Sequence, residues 1–413
     1  MLTHLIDNIC RAEGARVLAG LIRRFGDFDL AEDALQDAFT RALEVWPGSG
    51  LPAAPAAWLT TVAQRRAVDL IRRRQTGPAY LPEPPDVAAP EAEPTDPHPA
   101  DVSGVEDDRL RLVFTCCHPA LSRQAQMALA LRTLCGLSTR EIARAFLEPD
   151  ATTAQRLVRA KKKIVDARIP YEVPSRDVLP QRLHAVLHVA YLVFNEGYAG
   201  TESPGLMRPD LCSQAIRLGR LLVELMPNEP EVLGLLALML LHDARRCTRV
   251  GADGTLVPLE EQDRWLWDRK AIDEGLAALD AALARRSRGP YQLQAAIAAL
   301  HAQAPSAGDT DWKQIAALYG GLLREQPDAV VELNAAVALA MAEGAEQGLV
   351  WIARLEQRGE LAGYHLLQAA RADLLRRLGR QPEAREAYRA ALALVRNPAE
   401  RKYLEHRLAE CGG

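Results

Sequence analysis

The stretch that decides the fold is LSTREIARAFLEPDATTAQRLVRAKKKI, residues 137–164, in which two short helical patterns flank a proline. Ser138 precedes Glu141 by three residues, and this spacing predicts a capping box, in which each side chain accepts a hydrogen bond from the other residue's backbone N–H. The first helix is expected over 139–146, because Pro149 cannot continue it. The pattern therefore predicts two short helices joined by a tight turn.

The second helix of this pair is predicted to have one buried face and one cationic face. Thr152 is expected to cap it, and apolar residues recur at helical spacing along its inner side. That inner stripe consists of Leu157, Ala160 and Ile164. The opposite side carries Thr153, Gln155, Arg156, Arg159, Lys162 and Lys163. A pair of this kind is typical of a helix-turn-helix that enters the major groove of DNA.

The residue types on that face suit contact with DNA. Arg156 or Arg159 is able to bind guanine through two hydrogen bonds, worth about 1 to 3 kcal/mol of discrimination. The lysines at 161–163 suit phosphates, whose neutralisation releases counterions and makes affinity depend on salt. The alternative is a helix face that is only solvated. The capping box, the turn and the apolar stripe together favour the DNA interpretation.

Composition predicts an all-α protein of several domains. The chain has 413 residues, is rich in Ala, Leu and Arg, and is only 5% aromatic, which favours long helices over strands. No segment has the pattern of a signal peptide or the roughly 20 apolar residues that span a bilayer, so we expect a cytoplasmic protein that does not contact a membrane. Seven cysteines without a CxxC pair argue against a disulfide framework or a zinc ribbon.

Four regions are expected along the chain. Residues 1–75 form a helical module that ends in a basic tract, and the acidic, proline-rich segment 76–104 is expected to be an extended linker. Residues 105–172 contain the helix-turn-helix, and 173–413 continue as helices.

The first module is predicted to contain three helices, and two of them are identified by their apolar stripes. Residues 31–46 carry an apolar stripe, and the helix is expected to end at Pro47, Gly48 and Gly50. The stripe comprises Leu35, Phe39, Leu43 and Trp46. A further helix over 56–75 is predicted to point Trp58, Val62 and Leu70 inward. Trp58 is therefore more readily a core residue than a surface for stacking an unpaired base.

The C-terminal half shows a weak internal repeat. Prolines head similar apolar helices at multiples of about 34 residues, the period of helix-turn-helix solenoids. The clearest unit is 366–394, whose small residues and one aromatic fall at the positions of the tetratricopeptide pattern: Ala372, Gly379, Ala384, Tyr388 and Ala391. A solenoid of this type is predicted, interrupted by the loop 245–260.

The segment YLVFNEGYAG, residues 191–200, ends an apolar helix that begins near Pro180. Gly197 is expected to end the helix, and Glu196 needs an arginine or backbone donors, because the helix dipole disfavours a carboxylate there. Asn195, Glu196 and Tyr198 are predicted to anchor the extension to the preceding module. The alternative is an enzyme that uses Glu196 with His184 and His188.

Metal and enzyme chemistry are not expected. The histidine pair has no evident third ligand, and the adjacent Cys116, Cys117 and His118 cannot close a tetrahedral site. The sequence also contains no phosphate loop, nucleophile elbow or HExxH motif. We therefore expect no metal, no cofactor and no catalytic residue.

Two motifs resemble a known family. AEDALQDAFTRAL at 31–43 with AAWLTTVAQRRAVDLIRRR at 56–74 resembles region 2 of the extracytoplasmic-function (ECF) sigma factors of bacterial RNA polymerase. Residues 121–164 are similar to region 4 of the same family, and the resemblance covers 1–172. The rest resembles the extension of a subgroup with tetratricopeptide-like helices, in which FNEGY and FTCCHPAL also occur.

The resemblance implies roles for three sets of residues. Core-polymerase binding falls to Glu32, Asp33, Gln36 and Asp37. Contact with the minus-10 promoter element falls to Trp58, Arg65, Arg66, Asp69, Arg72 and Arg73. Contact with the minus-35 element falls to Thr152, Thr153, Gln155, Arg156, Arg159, Lys162 and Lys163. Two departures from the family pattern are Arg65, where many relatives have Asn, and Leu147 with Glu148, where most have Gly and an apolar residue.

The implied function is a sigma factor that binds core RNA polymerase and promoter DNA. The extension is expected to regulate it or to bind an unknown protein or peptide, and it could either mask the DNA-binding modules or hold them productively. The alternative is a helix-turn-helix repressor or activator that needs no polymerase. Such a protein has no use for the helix at 31–46 or for the arginine-rich helix that follows.

Overall fold

The fold is known from a computed structural model, which describes residues 2–76, 108–146, 148–199 and 207–411. Over these ranges the secondary structure is helical, with 18 α-helices, four short 3-10 turns and one isolated bridge between Val250 and Leu256. The predicted all-α class is confirmed. The predicted linker 76–104 lies outside the described residues except for Thr76, and so does Leu147.

The helices in chain order are α1 (Leu2–Phe25), α2 (Phe28–Ser49), α3 (Pro55–Thr76), α4 (Asp108–Cys116), α5 (Arg123–Thr133), α6 (Thr139–Ala145), α7 (Asp150–Asp166), α8 (Leu179–Tyr198), α9 (Pro209–Leu225), α10 (Pro230–Asp243), α11 (Arg269–Leu283), α12 (Pro290–Gln303), α13 (Trp312–Glu325), α14 (Ala329–Glu343), α15 (Ala345–Arg358), α16 (His365–Arg377), α17 (Gln381–Leu394) and α18 (Pro398–Glu410).

The chain divides into two compact units. The first comprises Met1–Arg144 and Glu148–Val189, and the second comprises Ala145–Leu147 and Ala190–Gly413. Helix α8 therefore contributes its first part to one unit and its second part to the other. The segments predicted as two sigma-like modules lie in one compact unit.

Helices α1, α2 and α3 pack against one another in the first unit. The buried face of α2 is built largely from alanines and ends at Trp46, which is 1% exposed. Leu43, predicted inside, is 44% exposed, because small residues such as Ala38 and Ala42 form the buried stripe and let the helices approach closely. Pro47 lies inside α2 instead of ending it, and Gly50 closes the helix at φ +83°.

Helices α4 to α7 form the second part of this unit. Gln126 stabilises the turn between α4 and α5, because its side-chain amide donates to the carbonyl oxygens of Cys117 and His118. Both cysteines of the motif at 116–117 are buried, and the Cys116 thiol lies 3.2 Å from the hydroxyl oxygen of Thr133. Helix α5 packs against both α4 and α7 and holds these helices together.

The second unit is centred on α10, a helix that is buried along nearly its whole length. It packs against α9, α11 and α12, and later helices pack against their neighbours in chain order. Gly234 is required at one crossing, since a Cβ atom there would lie 2.8 Å from the backbone nitrogen of Gln292.

The predicted helix pair at 366–394 is present as α16 and α17. Ala372, Ala384, Tyr388 and Ala391 are buried together in one core cluster, and Gly379 sits between the helices at φ +73°. The small residues and the aromatic residue therefore form the core of this helix pair, as the repeat pattern predicted for this unit. Assignment of the whole extension to the tetratricopeptide class stays a prediction.

Candidate nucleic-acid interface

Helix α6 begins with the predicted capping box. The Ser138 hydroxyl accepts from the backbone N–H of Glu141 at 3.2 Å, and the Glu141 carboxylate accepts from the backbone N–H of Ser138 at 2.7 Å. Ile142 and Ala143 form the buried side of the helix. A seven-residue helix is thereby fixed at its start and along its inner face.

Helix α7 differs from the prediction at its first turn. Pro149 is the residue that precedes the helix, and Thr152 is an exposed residue inside it, so the prediction that Thr152 caps the helix is wrong. Thr153, predicted on the free face, is fully buried and donates its hydroxyl hydrogen to Glu148. Glu148 supplies the acceptor, which is why a hydroxyl residue is tolerated inside.

Glu148 also holds Arg156 in place. Both terminal nitrogens of the Arg156 guanidinium donate to the Glu148 carboxylate, one of them at 2.6 Å, and both side chains are largely buried. Burial alone would raise the pKa of Glu148, but the hydrogen bonds from Arg156 and Thr153 outweigh burial and lower it. Arg156 is therefore part of the turn between α6 and α7, where its fork geometry matches the carboxylate.

The remaining predicted side chains of α7 are free to meet a ligand. Gln155, Arg159, Lys162 and Lys163 are all exposed, while Leu157, Ala160 and Ile164 are buried as predicted. A groove of 390 Å³ runs between this helix and the start of α5, and Arg159 and Lys163 line it. Three exposed cations along one helix beside an open groove suit a polyanion.

Helix α3 presents a second basic surface. Arg65, Arg72 and Arg73 are exposed, and Asp69 is half-buried. Arg66 instead forms an ion pair with Asp37 of α2, which joins a residue predicted to contact DNA to one predicted to contact polymerase.

Trp58 is half-buried at the base of the same helix. Its ring meets the buried Trp46 ring edge-on, with centroids 5.2 Å apart. The contact with Trp46 covers one side of the Trp58 ring.

The acidic face of α2 is partly occupied by basic residues of α5 and α7. Glu32 lies 3.3 Å from the Lys161 ammonium and 3.7 Å from the Arg132 guanidinium, and Lys161 also binds Asp29. Burial alone would lower the pKa of Lys161, but the two carboxylates outweigh burial and raise it. Asp33, one turn after Asp29, is exposed.

Gln36 is exposed on the same helix, and the predicted polymerase-binding set is therefore split. Glu32 and Asp37 have basic partners, whereas Asp33 and Gln36 face outward.

Glu196 has the arginine partner that its position required. The Arg208 guanidinium donates to both the carboxylate and the backbone carbonyl of Glu196. Gly197 does not end α8, because Tyr198 is still helical. The glycine lets α9 approach instead, since a Cβ atom there would lie 2.7 Å from the backbone nitrogen of Cys212.

Tyr198 is buried against several neighbours of the second unit. Its ring stacks on Phe194, and the Arg249 guanidinium lies 3.7 Å above it. Asn195 is half-buried on the same helix. All these contacts lie within the second unit, and the predicted interdomain role of Asn195, Glu196 and Tyr198 stays a prediction.

The sequence interpretation missed two side chains that organise the site. Glu148 was identified only as a departure from the family pattern. A carboxylate five residues before a threonine and eight before an arginine could have signalled a local hydrogen-bond acceptor. Lys161 was grouped with the phosphate-binding lysines. Its position beside Ala160 of the buried stripe was the available signal that it faces other protein residues.

Known proteins give three family matches. Residues 10–76 match Sigma-70 region 2, residues 111–164 match Sigma-70 region 4, and residues 182–283 match a family of unknown function, DUF6596. The uncharacterized protein R00370 of Rhizobium meliloti (strain 1021) is 46% identical over 408 residues, which cover 98% of this chain and 96% of that protein.

A more distant relative has a printed function. The probable ECF RNA polymerase sigma factor SigI of Mycobacterium tuberculosis is 30% identical over 166 residues, which cover 40% of this chain and 55% of that protein. No solved structure matches the chain.

A basic helix-turn-helix beside a second basic helical module defines the class of a DNA-binding transcription protein. With both sigma-70 regions matched in order, the chain belongs to the sigma-70 family as an ECF-type factor with a C-terminal extension. It is a sigma factor that directs transcription initiation, and proteins of this family are initiation factors rather than enzymes. The sigma-70 regions imply binding to core RNA polymerase and to promoter DNA. Among the described helices none is long and apolar enough to cross a membrane.

Proposed function

We propose that α7 recognises the minus-35 promoter element chiefly through Arg159, with Lys162 and Lys163 holding the phosphates. The observation that carries this proposal is the exposed cationic row on a helix fixed by a capping box and a buried stripe. Because Arg156 is paired with Glu148, we assign it to shaping the turn. The sequence alone suggested that either Arg156 or Arg159 binds guanine, and this role now falls to Arg159. Thr152 and Gln155, both exposed, are the polar neighbours available to the bases.

The test compares two variants of one helix. Arg159→Ala is expected to weaken binding about 10- to 100-fold at the preferred promoter and to reduce discrimination against mismatched minus-35 sequences. Lys162→Ala is expected to weaken binding to all sequences and to reduce the slope of log affinity against log salt by about 1. Fluorescence anisotropy of the full chain with core polymerase on matched and scrambled promoters measures both. Identical effects of the two variants on every promoter would contradict the assignment.

The minus-10 element is proposed to contact α3. Arg65, Arg72 and Arg73 are exposed cations along one helix and suit the backbone of a separated strand. We assign Arg66 and Asp69 to supporting this DNA-binding surface from within the protein. For Arg66 the reason is its ion pair with Asp37. Trp58 is proposed to support the same surface from beneath, since it packs on Trp46.

Core polymerase is proposed to dock on the acidic face of α2. Asp33 and Gln36 are exposed and ready for such a contact. Glu32 and Asp37 would have to exchange their basic partners for those of the polymerase. The chain would act in the cytoplasm, where that polymerase works, and its extension would regulate activity or bind a partner protein or peptide.

A further inference from the structure

The second unit displays two adjacent large apolar side chains on its surface. Trp265 is 86% exposed and Leu266 is 63% exposed, and they occupy a 3-10 turn of residues Arg264–Leu266 that precedes α11. Exposed apolar residues are ordinary when they occur singly. Two side by side, one of them a tryptophan, have the composition of a binding hot spot.

The turn that carries this pair is rigidly held from both sides. On one side Arg264 is 6% exposed, and its guanidinium donates to the carbonyl oxygens of His301 and Ala304 at 2.7 Å each. On the other side Trp267 is 4% exposed, and its ring N–H donates to the Thr248 hydroxyl at 3.0 Å.

The backbone of the turn is fixed as well. The Asp263 carboxylate accepts from the backbone N–H of Trp265 at 2.9 Å, and the Cys247 thiol donates to the carbonyl oxygen of Leu266 at 3.0 Å. Because its neighbours are buried and hydrogen-bonded, the exposed pair is pre-organised, which lowers the entropy lost when a partner binds.

The charges around the pair indicate the kind of partner. Exposed basic residues occur in the segments next to it, namely Arg246, Arg269 and Lys270. Arg246 also pairs with Asp243 at 3.5 Å, and Arg269 donates to the carbonyl oxygen of Arg264 in the turn itself. The two nearby carboxylates, Asp263 and Asp268, are engaged with the backbone N–H groups of the turns that they begin. Mixed charges around an apolar centre are typical of a protein–protein interface, in contrast to the basic row of α7.

We propose that Trp265 and Leu266 insert into an apolar pocket, bordered by carboxylates, on core RNA polymerase. The inference rests on the sigma-factor function, which brings polymerase to this chain through its first unit. Once that contact forms, a second contact from the same chain is intramolecular and gains from the raised effective concentration, so two side chains are enough to matter. The extension would then contribute a specific anchor to the holoenzyme.

The test uses the full chain and purified core polymerase. The double variant Trp265→Ala with Leu266→Ala is expected to raise the Kd for core polymerase at least about 10-fold, as truncation of hot-spot residues does. Val350→Ala, which shortens another half-exposed apolar side chain of the same unit, is the matched control and is expected to leave the Kd unchanged. A photo-crosslinking amino acid at position 265 is expected to label a polymerase subunit.

Three outcomes would overturn the proposal. The double variant could bind polymerase as tightly as the wild type; it could bind polymerase normally but lose affinity for single-stranded promoter DNA; or the wild type alone could self-associate in sedimentation through Trp265. The first outcome would assign the pair to no partner, the second to nucleic acid and the third to a second copy of this chain. Failure of the wild type itself to bind core polymerase would instead contradict the sigma-factor function, so the two failures are distinguishable.

Discussion

At the scale of single residues, Glu148 organises the DNA-binding segment. It accepts hydrogen bonds from a buried hydroxyl and from a largely buried guanidinium, and it lies between α6 and α7, where the sequence left the geometry open. A carboxylate with two donors is stable there only while it is ionised, because a protonated carboxyl loses the ion pair with Arg156.

Glu148→Gln is expected to lower the free energy of local opening of α7 by about 1 to 3 kcal/mol, since the charge-assisted bonds to Arg156 are weakened. Hydrogen exchange of the peptide that covers α7 measures this opening. Arg159→Ala serves as the control, and because its side chain is exposed its effect should stay within about 0.5 kcal/mol.

The same residue predicts a pH dependence. The folded-state pKa of Glu148 is lowered below the ordinary 4.5, so its stabilisation is fully present above that value and is lost as the pH falls through the folded pKa. The difference in protection between wild type and Glu148→Gln should therefore be constant at neutral pH and shrink below about pH 4. A difference that grew on acidification would contradict the assignment.

At the scale of elements, the helix-turn-helix shows what the sequence could predict and what it could not. The capping box and the apolar stripe depend on residues three or four apart, and both are confirmed. The position of Thr153 and the helix start directly after Pro149 depend on the turn, in which the role of Glu148 as acceptor is recognised only in three dimensions. Leu43 was misplaced for a related reason, because helical spacing does not show that alanines provide the closest contact.

Ser138→Ala is expected to destabilise α6 by about 1 kcal/mol, the usual effect of losing a side-chain cap. Thr152→Ala should change stability by less than about 0.5 kcal/mol, since Thr152 is exposed and is not the cap. Hydrogen exchange of α6 and α7 distinguishes the two. The reverse order of effects would restore the original assignment of Thr152.

At the scale of the whole molecule, the two sigma regions share one compact unit apart from Ala145–Leu147, and a lysine of one region is paired with carboxylates of the other. Lys161 of region 4 binds Asp29 and Glu32 of region 2, so part of the acidic face proposed for polymerase is occupied in this structure. The sequence could not predict this pairing, since the residues are about 130 positions apart and belong to separate motifs.

Lys161→Ala is therefore expected to tighten binding of the full chain to core polymerase, by about 3- to 10-fold, because Asp29 loses its basic partner and Glu32 keeps only Arg132. Lys162→Ala is the matched control, since Lys162 is the next residue along and is exposed. Biolayer interferometry with immobilised core polymerase measures both variants. Weaker polymerase binding by Lys161→Ala would show that the lysine itself contributes to docking.

The most direct test of the central claim is transcription in vitro from a mapped promoter with purified core polymerase, with and without the full chain. A sigma factor is predicted to produce transcripts from one start site that depend on the chain and that fall sharply with Arg159→Ala, while nonspecific transcription by the core enzyme stays unchanged. Binding of the chain to the same promoter without any start-site-specific transcript would contradict the account.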